Sequence, residues 1–357
     1  MTDFAARIKA WHCDHGRHDL PWQNTREPYR VWLSEVMLQQ TQVAAVIPYY
    51  ERFLARFPDL PGLAAASIDD VLALWSGLGY YSRARNLHRA AHMIVEQYGG
   101  AFPAAFDNVL RLPGIGRSTA AAILVFCRSE RRAILDGNVK RVLARAFAVP
   151  GYPGDKKVEN ELWRRAQTLL PEQGIEAYTQ GLMDLGARIC TRTRPRCVMC
   201  PVASVCAAHA HGHEALYPEP RPAKRLPERE TLMLLVLDRG SVLLQKRSPS
   251  GIWGGLWSLP EAVPDVDVEH LCKERFGVRS REVRRLDPIR HGFTHFRLTI
   301  QPVIVEVAGN DLQAAEPGLL WLQLDEALGA ALPAPVRTLL ASLQSPSPRA
   351  PSLTRAA

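Results

Sequence analysis

The chain has 357 residues, 47% of them hydrophobic, and a formal net charge of +8. That length and apolar content predict two or three domains with real cores, and the basic balance favours a polyanionic partner. No apolar run approaches the ~20 residues that span a bilayer, Met1-Thr2-Asp3-Phe4 shows no charged-then-apolar leader, and seven cysteines without a disulfide framework predict a reducing, cytosolic compartment rather than a secreted or membrane protein.

Residues 1–206 read as helix after helix, with breaks at Phe57-Pro58, Gly99-Gly100 and Pro150-Gly151. Early in this stretch, Val31-Trp32-Leu33-Ser34-Glu35-Val36-Met37-Leu38 sets one carboxylate in an apolar helix. A desolvated glutamate keeps its proton near neutrality and can act as a general acid; the other reading is a glutamate on the polar face of an amphipathic helix. Further on, Leu112-Pro113-Gly114-Ile115-Gly116-Arg117-Ser118-Thr119 leads into the alanine-rich helix Ala120 to Phe126. Gly114 and Gly116 permit a tight hairpin with outward N–H groups, and the next helix adds its positive dipole end. Together they form a backbone site for DNA phosphate, against the alternative of an ordinary helix–helix turn.

Cys190, Cys197, Cys200 and Cys206 follow as a C-x6-C-x2-C-x5-C run, with only Cys13, Cys127 and Cys272 elsewhere. Four thiolates so close together make one tetrahedral-sulfur site, either a 4Fe-4S cluster or a four-thiolate zinc. Zinc ribbons present two short C-x2-C pairs and this run has one, which favours iron–sulfur. Between the first two cysteines, Arg192, Arg194 and Arg196 offer guanidinium groups to phosphate, or form a solvated basic loop.

Residues 207–229 change to a linker composition, with Pro218, Pro220, Pro222 and Pro227 among charges and with His209, His211 and His213 read as solvated. The period then becomes strand-like. Thr231 to Leu237, the turn Asp238-Arg239-Gly240 and Val242-Leu243-Leu244 predict a hairpin. Phe296, Leu298 and Ile300 alternate in one phase and Val303, Val305 and Val307 in the other, with Pro302 at the switch, as at a bulge or an edge. Residues 325–341 read as helical, and the tail 345–357, with three prolines among small residues, as disordered. The fold class is therefore α + (α+β): an all-helical unit, a linker, and a smaller α+β unit.

Leu112-Pro113-Gly114-Ile115-Gly116, then Leu135-Asp136-Gly137-Asn138-Val139, then the four-cysteine run resemble the endonuclease III superfamily of helix–hairpin–helix base-excision DNA glycosylases. Ser34-Glu35-Val36-Met37-Leu38-Gln39-Gln40-Thr41-Gln42 and Gly77-Leu78-Gly79-Tyr80-Tyr81-Ser82-Arg83-Ala84-Arg85-Asn86 are similar to its MutY-type adenine glycosylases, which remove adenine mispaired with 8-oxoguanine. The resemblance covers roughly residues 5–340. It implies a six-helix domain with the hairpin over 20–131, an iron–sulfur cluster domain from 1–19 and 132–208, a linker over 209–229, and a Nudix-like recognition domain over 230–344. It also implies a monomer on duplex DNA carrying A·8-oxoG or A·G mispairs, with no membrane partner and a cytoplasmic, nucleoid-associated location.

By this resemblance Glu35 protonates the leaving adenine, Asp136 faces the anomeric carbon, electrostatically or covalently, and Asn138 assists. Asp136 before Gly137-Asn138 also reads as a turn or helix cap. Gln39, Gln40 and Gln42 carry amides that hydrogen-bond base edges, and the family uses this segment beside the extruded adenine. Tyr80, following Gly79, suits a ring wedged into the base stack, whereas Tyr81 reads as core; Arg83 and Arg85 are phosphate candidates. Members that also cut the strand carry a lysine where this chain has Ser118, whose hydroxyl forms no imine. The reading is therefore a monofunctional glycosylase, with Lys140 the source of any weak, accidental lyase reaction. That serine argues against an endonuclease III-like pyrimidine glycosylase.

Gly255-x5-Glu261 begins like a Nudix box, but Glu269-His270-Leu271-Cys272-Lys273-Glu274 lacks most of the clustered carboxylates that hold Mg²⁺. The fold persists while the hydrolase chemistry is lost. Phe293-Thr294-His295 matches the family's recognition loop, normally Phe-Ser-His; the threonine keeps the hydroxyl and adds a methyl.

Overall fold

A computed structural model describes residues 2–222, 226–308 and 318–344; the tail 345–357 lies outside them. Contacts divide the chain into two units, Met1–Ala66 with Arg85–Ala223, and Ser67–Ala84 with Lys224–Ala357. The helices begin with α1 (Thr2–His15), α2 (Pro28–Met37), α3 (Val43–Arg56), α4 (Leu60–Ala65), α5 (Ile68–Trp75) and α6 (Ser82–Tyr98). They continue with α7 (Phe106–Arg111), α8 (Arg117–Arg128), α9 (Gly137–Ala146), α10 (Lys156–Thr168), α11 (Ile175–Asp184) and α12 (Ala207–Ala210). The three predicted breaks fall between helices, where proline or paired glycines stop the ladder. Capping side chains start several of them: Asp59 accepts from the Gly62 N–H at 2.7 Å and Ser67 from the Asp70 N–H at 3.1 Å.

In the first unit, Phe4 and Ile8 of α1, Val125 of α8, Val142 and Leu143 of α9 and Leu182 of α11 share one buried core. A π-helical turn, Leu185–Ile189, continues α11 toward the cysteines. The segment read as linker is fastened at its start: Arg145 donates to the carbonyl oxygens of Glu214 at 2.9 Å and Tyr217 at 2.8 Å.

The second unit carries a mixed sheet of β1 (Glu228–Asp238), β2 (Ser241–Lys246), β3 (Trp257–Ser258), β4 (Glu261–Ala262), β5 (Ser280–Arg285), β6 (Ile289–Gly292), β7 (Arg297–Val307) and β8 (Leu319–Gln323). The predicted hairpin forms, with Leu237 opposite Val242. Leu232 to Val236 are buried on both faces because β1 is central, paired parallel to β7 along ten positions. Pro302 sits where the other edge of β7 changes partner, from β6 at Arg297–Ile300 to β5 at Val303–Val307. It marks neither a bulge nor a sheet edge; the hand-over tolerates a residue without an N–H. Helix α13 (Val268–Phe276) buries Val268, Cys272 and Phe276 against Leu234, Val236 and Val303 of the sheet.

The helix expected over 325–341 is two, α14 (Leu324–Gly329) and α15 (Ala334–Gln344). Pro333 explains the break, since the residue before a proline leaves the helical region, and Pro335 falls in the first turn of α15, where a missing N–H is tolerated. Among the described residues no helix is long and apolar enough to cross a membrane.

Candidate active site

Helix α2 places the carboxylate. Pro28 opens it with a fixed φ, and Glu27 caps it by accepting from the N–H groups of Tyr29 and Arg30, both at 3.0 Å. Val31, Trp32, Leu33, Val36 and Met37 are buried, so Glu35 projects from an apolar helix. It opens on a cavity of about 1040 Å³ also lined by Gln39, Gln40, Asp136, Asn138 and Arg192. It borders a second cavity of about 550 Å³ with Arg17, Trp22 and Gln180, which Arg17 and Gln180 connect to the first. Burial, then the nearby Asp136 carboxylate, push the Glu35 pKa up from 4.5 to about 8.

Asp136 caps α9, accepting from the Val139 N–H at 2.7 Å and from Asn138 Nδ2 at 3.4 Å. Cap and cavity carboxylate are one side chain. Burial raises its pKa, while the Val139 N–H and the Arg141 guanidinium oppose the rise. Arg141 donates to Asn138 Oδ1 at 2.8 Å, to the Gly186 carbonyl at 2.6 Å and to the Cys190 carbonyl at 2.7 Å. Gly186 is required there: a Cβ on it would lie 2.5 Å from Asn138 Cβ. A proton donor and a second carboxyl thus face one cavity in different hydrogen-bonding surroundings, the arrangement that pairs an acid with an anionic stabiliser.

The hairpin between α7 and α8 brings Ser118 to the same region. Gly114 has φ +78°, and a Cβ would meet Asn86 Cβ at 2.7 Å. Gly116 caps α8 with no side chain over its free N–H groups. Ser118 Oγ accepts from the Leu135 N–H at 2.9 Å, tying α8 to the residue before Asp136. Lys140 is drawn away: its Nζ donates to Glu159 at 2.7 Å, and it is absent from the lining of the larger cavity. This counts against Lys140 as a source of lyase chemistry.

Cys190, Cys197, Cys200 and Cys206 are free thiols lining one cavity with Val142, Leu185, Ile189 and Val202. Buried Arg145 donates to Cys190 Sγ at 3.3 Å. Soft donors converging within apolar walls, beside a cation that offsets thiolate charge, suit a four-thiolate metal or cluster site. His209, read as solvated, instead pairs with Glu214 at 2.6 Å beside Cys197. Arg192, Arg194 and Arg196 are exposed on the loop above.

In the C-terminal unit, Tyr80 is 45% exposed with φ +48°, and Tyr81 is buried. Arg83 departs from its reading as a phosphate contact: it is buried, and its Nη2 donates to the carbonyls of Leu78 at 3.3 Å and Gly79 at 3.2 Å. Arg85, which belongs to the other unit, is half-buried. Phe293, Thr294 and His295 join β6 to β7, with Thr294 and His295 exposed. Phe293 stacks on Phe296 at 4.5 Å and lies 5.3 Å from Trp253. Glu261, the carboxylate of the broken Nudix box, is paired with Arg247.

Sequence reasoning missed Trp22, Gln180, Arg141 and Arg145. Trp22 and Gln180 sit in no motif, and half-buried Arg141 and buried Arg145 inside an amphipathic helix look like any charged position.

A family model described as HhH-GPD superfamily base excision DNA repair protein matches residues 33–168, and a NUDIX domain model matches 231–342. The chain is 35% identical over 339 residues to an adenine DNA glycosylase of Buchnera aphidicola subsp. Schizaphis graminum, covering 94% of this chain and 97% of that one. It is 33% identical to the Homo sapiens adenine DNA glycosylase, covering 98% and 75%. A solved thermostable thymine-DNA glycosylase superposes with a TM-score of 0.52 at 28% identity, covering 58% of this chain and 95% of that one.

Proposed function

The chain belongs to the adenine DNA glycosylase family, and from that premise we propose that it excises adenine paired with 8-oxoguanine or guanine. It is a DNA N-glycosylase of base-excision repair, with a helix–hairpin–helix glycosylase fold followed by a Nudix-like α+β unit.

The observation that carries the mechanism is Glu35, held near pKa 8 in the cavity that also contains Asp136. Adenine enters this cavity unstacked from the duplex. Glu35 gives its proton to the imidazole-ring nitrogen of the purine as the glycosidic bond breaks and its electron pair leaves with the base. Asp136 stabilises the oxocarbenium-like sugar, with Asn138 beside it, and water completes the hydrolysis. Gln39 and Gln40 supply amides at the cavity's edge. Ser118 leaves the sugar without an amine nucleophile, so the product is an intact strand with an abasic site.

DNA is held by the Gly114–Gly116 hairpin and the Ser118 end of α8, by Arg85, and by Arg192, Arg194 and Arg196. Tyr80 wedges into the stack, and Phe293, Thr294 and His295 contact 8-oxoguanine. Cys190, Cys197, Cys200 and Cys206 would hold a 4Fe-4S cluster, and through these four ligands it would tie down the arginine-bearing loop between Cys190 and Cys197. The enzyme acts as a monomer.

Single-turnover assays on duplexes carrying A·8-oxoG, A·G, an oxidised pyrimidine or no lesion test this reading. Excision is expected at the first two alone; excision of the oxidised pyrimidine overturns it.

A further inference from the structure

Residues Ser67–Ala84 belong to the C-terminal unit rather than to the one formed by the chain on either side of them. Specific contacts make that attachment. Ser76 Oγ at 3.0 Å and Tyr81 Oη at 3.2 Å both donate to the carbonyl oxygen of Leu332, in the turn between α14 and α15. Arg337 of α15 donates to Ser76 Oγ at 2.9 Å and to the carbonyls of Ala330 at 3.0 Å and Leu328. Lys246 of β2 pairs with Asp69 in the first turn of α5.

Within the segment, Trp75 Nε1 donates to the Gly79 carbonyl at 3.1 Å, and Arg83 fastens Leu78 and Gly79. Gly77, Gly79 and Tyr80 all have positive φ, at 99°, 75° and 48°. Tyrosine rarely adopts that backbone unless its surroundings impose it. These internal bonds hold the loop's shape, and Ser76 and Tyr81, which flank its positive-φ residues, fasten it to the α14–α15 turn.

We propose that this turn, through Leu332 and Arg337, positions Tyr80 for insertion, so the unit that carries the Phe293 loop also sets the wedge. Ser76 and Arg337 are positioning residues, and the proposal rests on reading Tyr80 as the wedge. Without the bonds to the turn the loop keeps only its internal ties, and the ring loses the direction that insertion requires.

The test uses the full chain and an A·8-oxoG duplex, with adenine replaced by a non-cleavable analogue and 2-aminopurine beside the lesion. Wild type should raise fluorescence by unstacking the reporter, and Tyr80→Ala should abolish the rise. Arg337→Met, and the milder Ser76→Ala and Tyr81→Phe, should cut the rise several-fold. Each should weaken lesion binding by about five- to tenfold, as loss of one or two hydrogen bonds predicts. Affinity for undamaged duplex should hold, and Arg337→Lys should restore part of the signal. Amide exchange should quicken over 76–84 while the β1–β7 pairing stays protected.

If Tyr80→Ala keeps the full rise, the wedge reading itself fails. If Tyr80→Ala loses it while Ser76→Ala, Tyr81→Phe and Arg337→Met keep it, the positioning proposal is overturned. Loss confined to Arg337→Met and accompanied by loss of sheet protection overturns it equally.

Discussion

Replacing Glu35 by glutamine should make the protein inactive and more stable at once. With its pKa near 8, Glu35 is protonated in roughly nine molecules of ten at pH 7, against about one in three hundred for a glutamate at 4.5. Glutamine keeps the shape and removes the proton, so single-turnover excision should fall at least ~10²-fold while duplex binding is retained. Wild-type excision should decline tenfold per pH unit above about pH 8, as the acid ionises. The stability effect has the opposite sign. The folded-state pKa is raised, so the stabilising contribution is complete below about pH 4.5 and lost as pH rises toward 8. Glutamine does not titrate, so at pH 7 the variant avoids a cost of up to about 3 kcal/mol. The melting-temperature gap between variant and wild type should therefore widen from pH 5 to pH 8. Excision within a few-fold of wild type, or a gap that does not change with pH, refutes the assignment of a buried, protonated Glu35.

Ser118→Lys should introduce borohydride-trappable lyase activity, whereas the wild type should trap weakly and leave strands that break only after added base. Protein purified anaerobically should be brown, with about four irons and four labile sulfides per chain; stoichiometric zinc without visible absorption excludes the cluster. Phe293→Ala with His295→Ala should slow excision at A·8-oxoG more than at A·G, narrowing the ratio by the ~1–3 kcal/mol typical of one base readout. Equal loss on both substrates, at fixed salt, reassigns the loop to general DNA contact.

Much of the site was legible because its residues sit in local patterns. The four cysteines stood out by spacing, whereas the apolar helix around Glu35 left a general acid and a polar-face glutamate both open until the resemblance chose between them. Asp136 read locally as a turn or cap and only by resemblance as a catalytic carboxylate, and the structure gives it both surroundings. Long-range relations were not legible. Arg83 read as a phosphate candidate, and only the folded loop shows its guanidinium bonded to the Leu78 and Gly79 carbonyls. Trp22 and Gln180 reach the cavities beside Glu35 from segments well apart in sequence. Residues 325–341 read as one helical stretch although Pro333 and Pro335 lie inside it, and the structure divides it into α14 and α15.

The pairing of Arg247 with Glu261 also bears on what the C-terminal unit can bind. A carboxylate already neutralised by a guanidinium offers a poor ligand to Mg²⁺. Mg²⁺ binding at Glu261 would require Arg247 to release that carboxylate, beyond the carboxylates that α13 lacks. Arg247 also lies near the ring of Trp253, against which Phe293 rests, so one cation ties the remnant of the box to the Phe293 loop. Substituting Arg247 should therefore disturb that aromatic cluster as well as free the carboxylate.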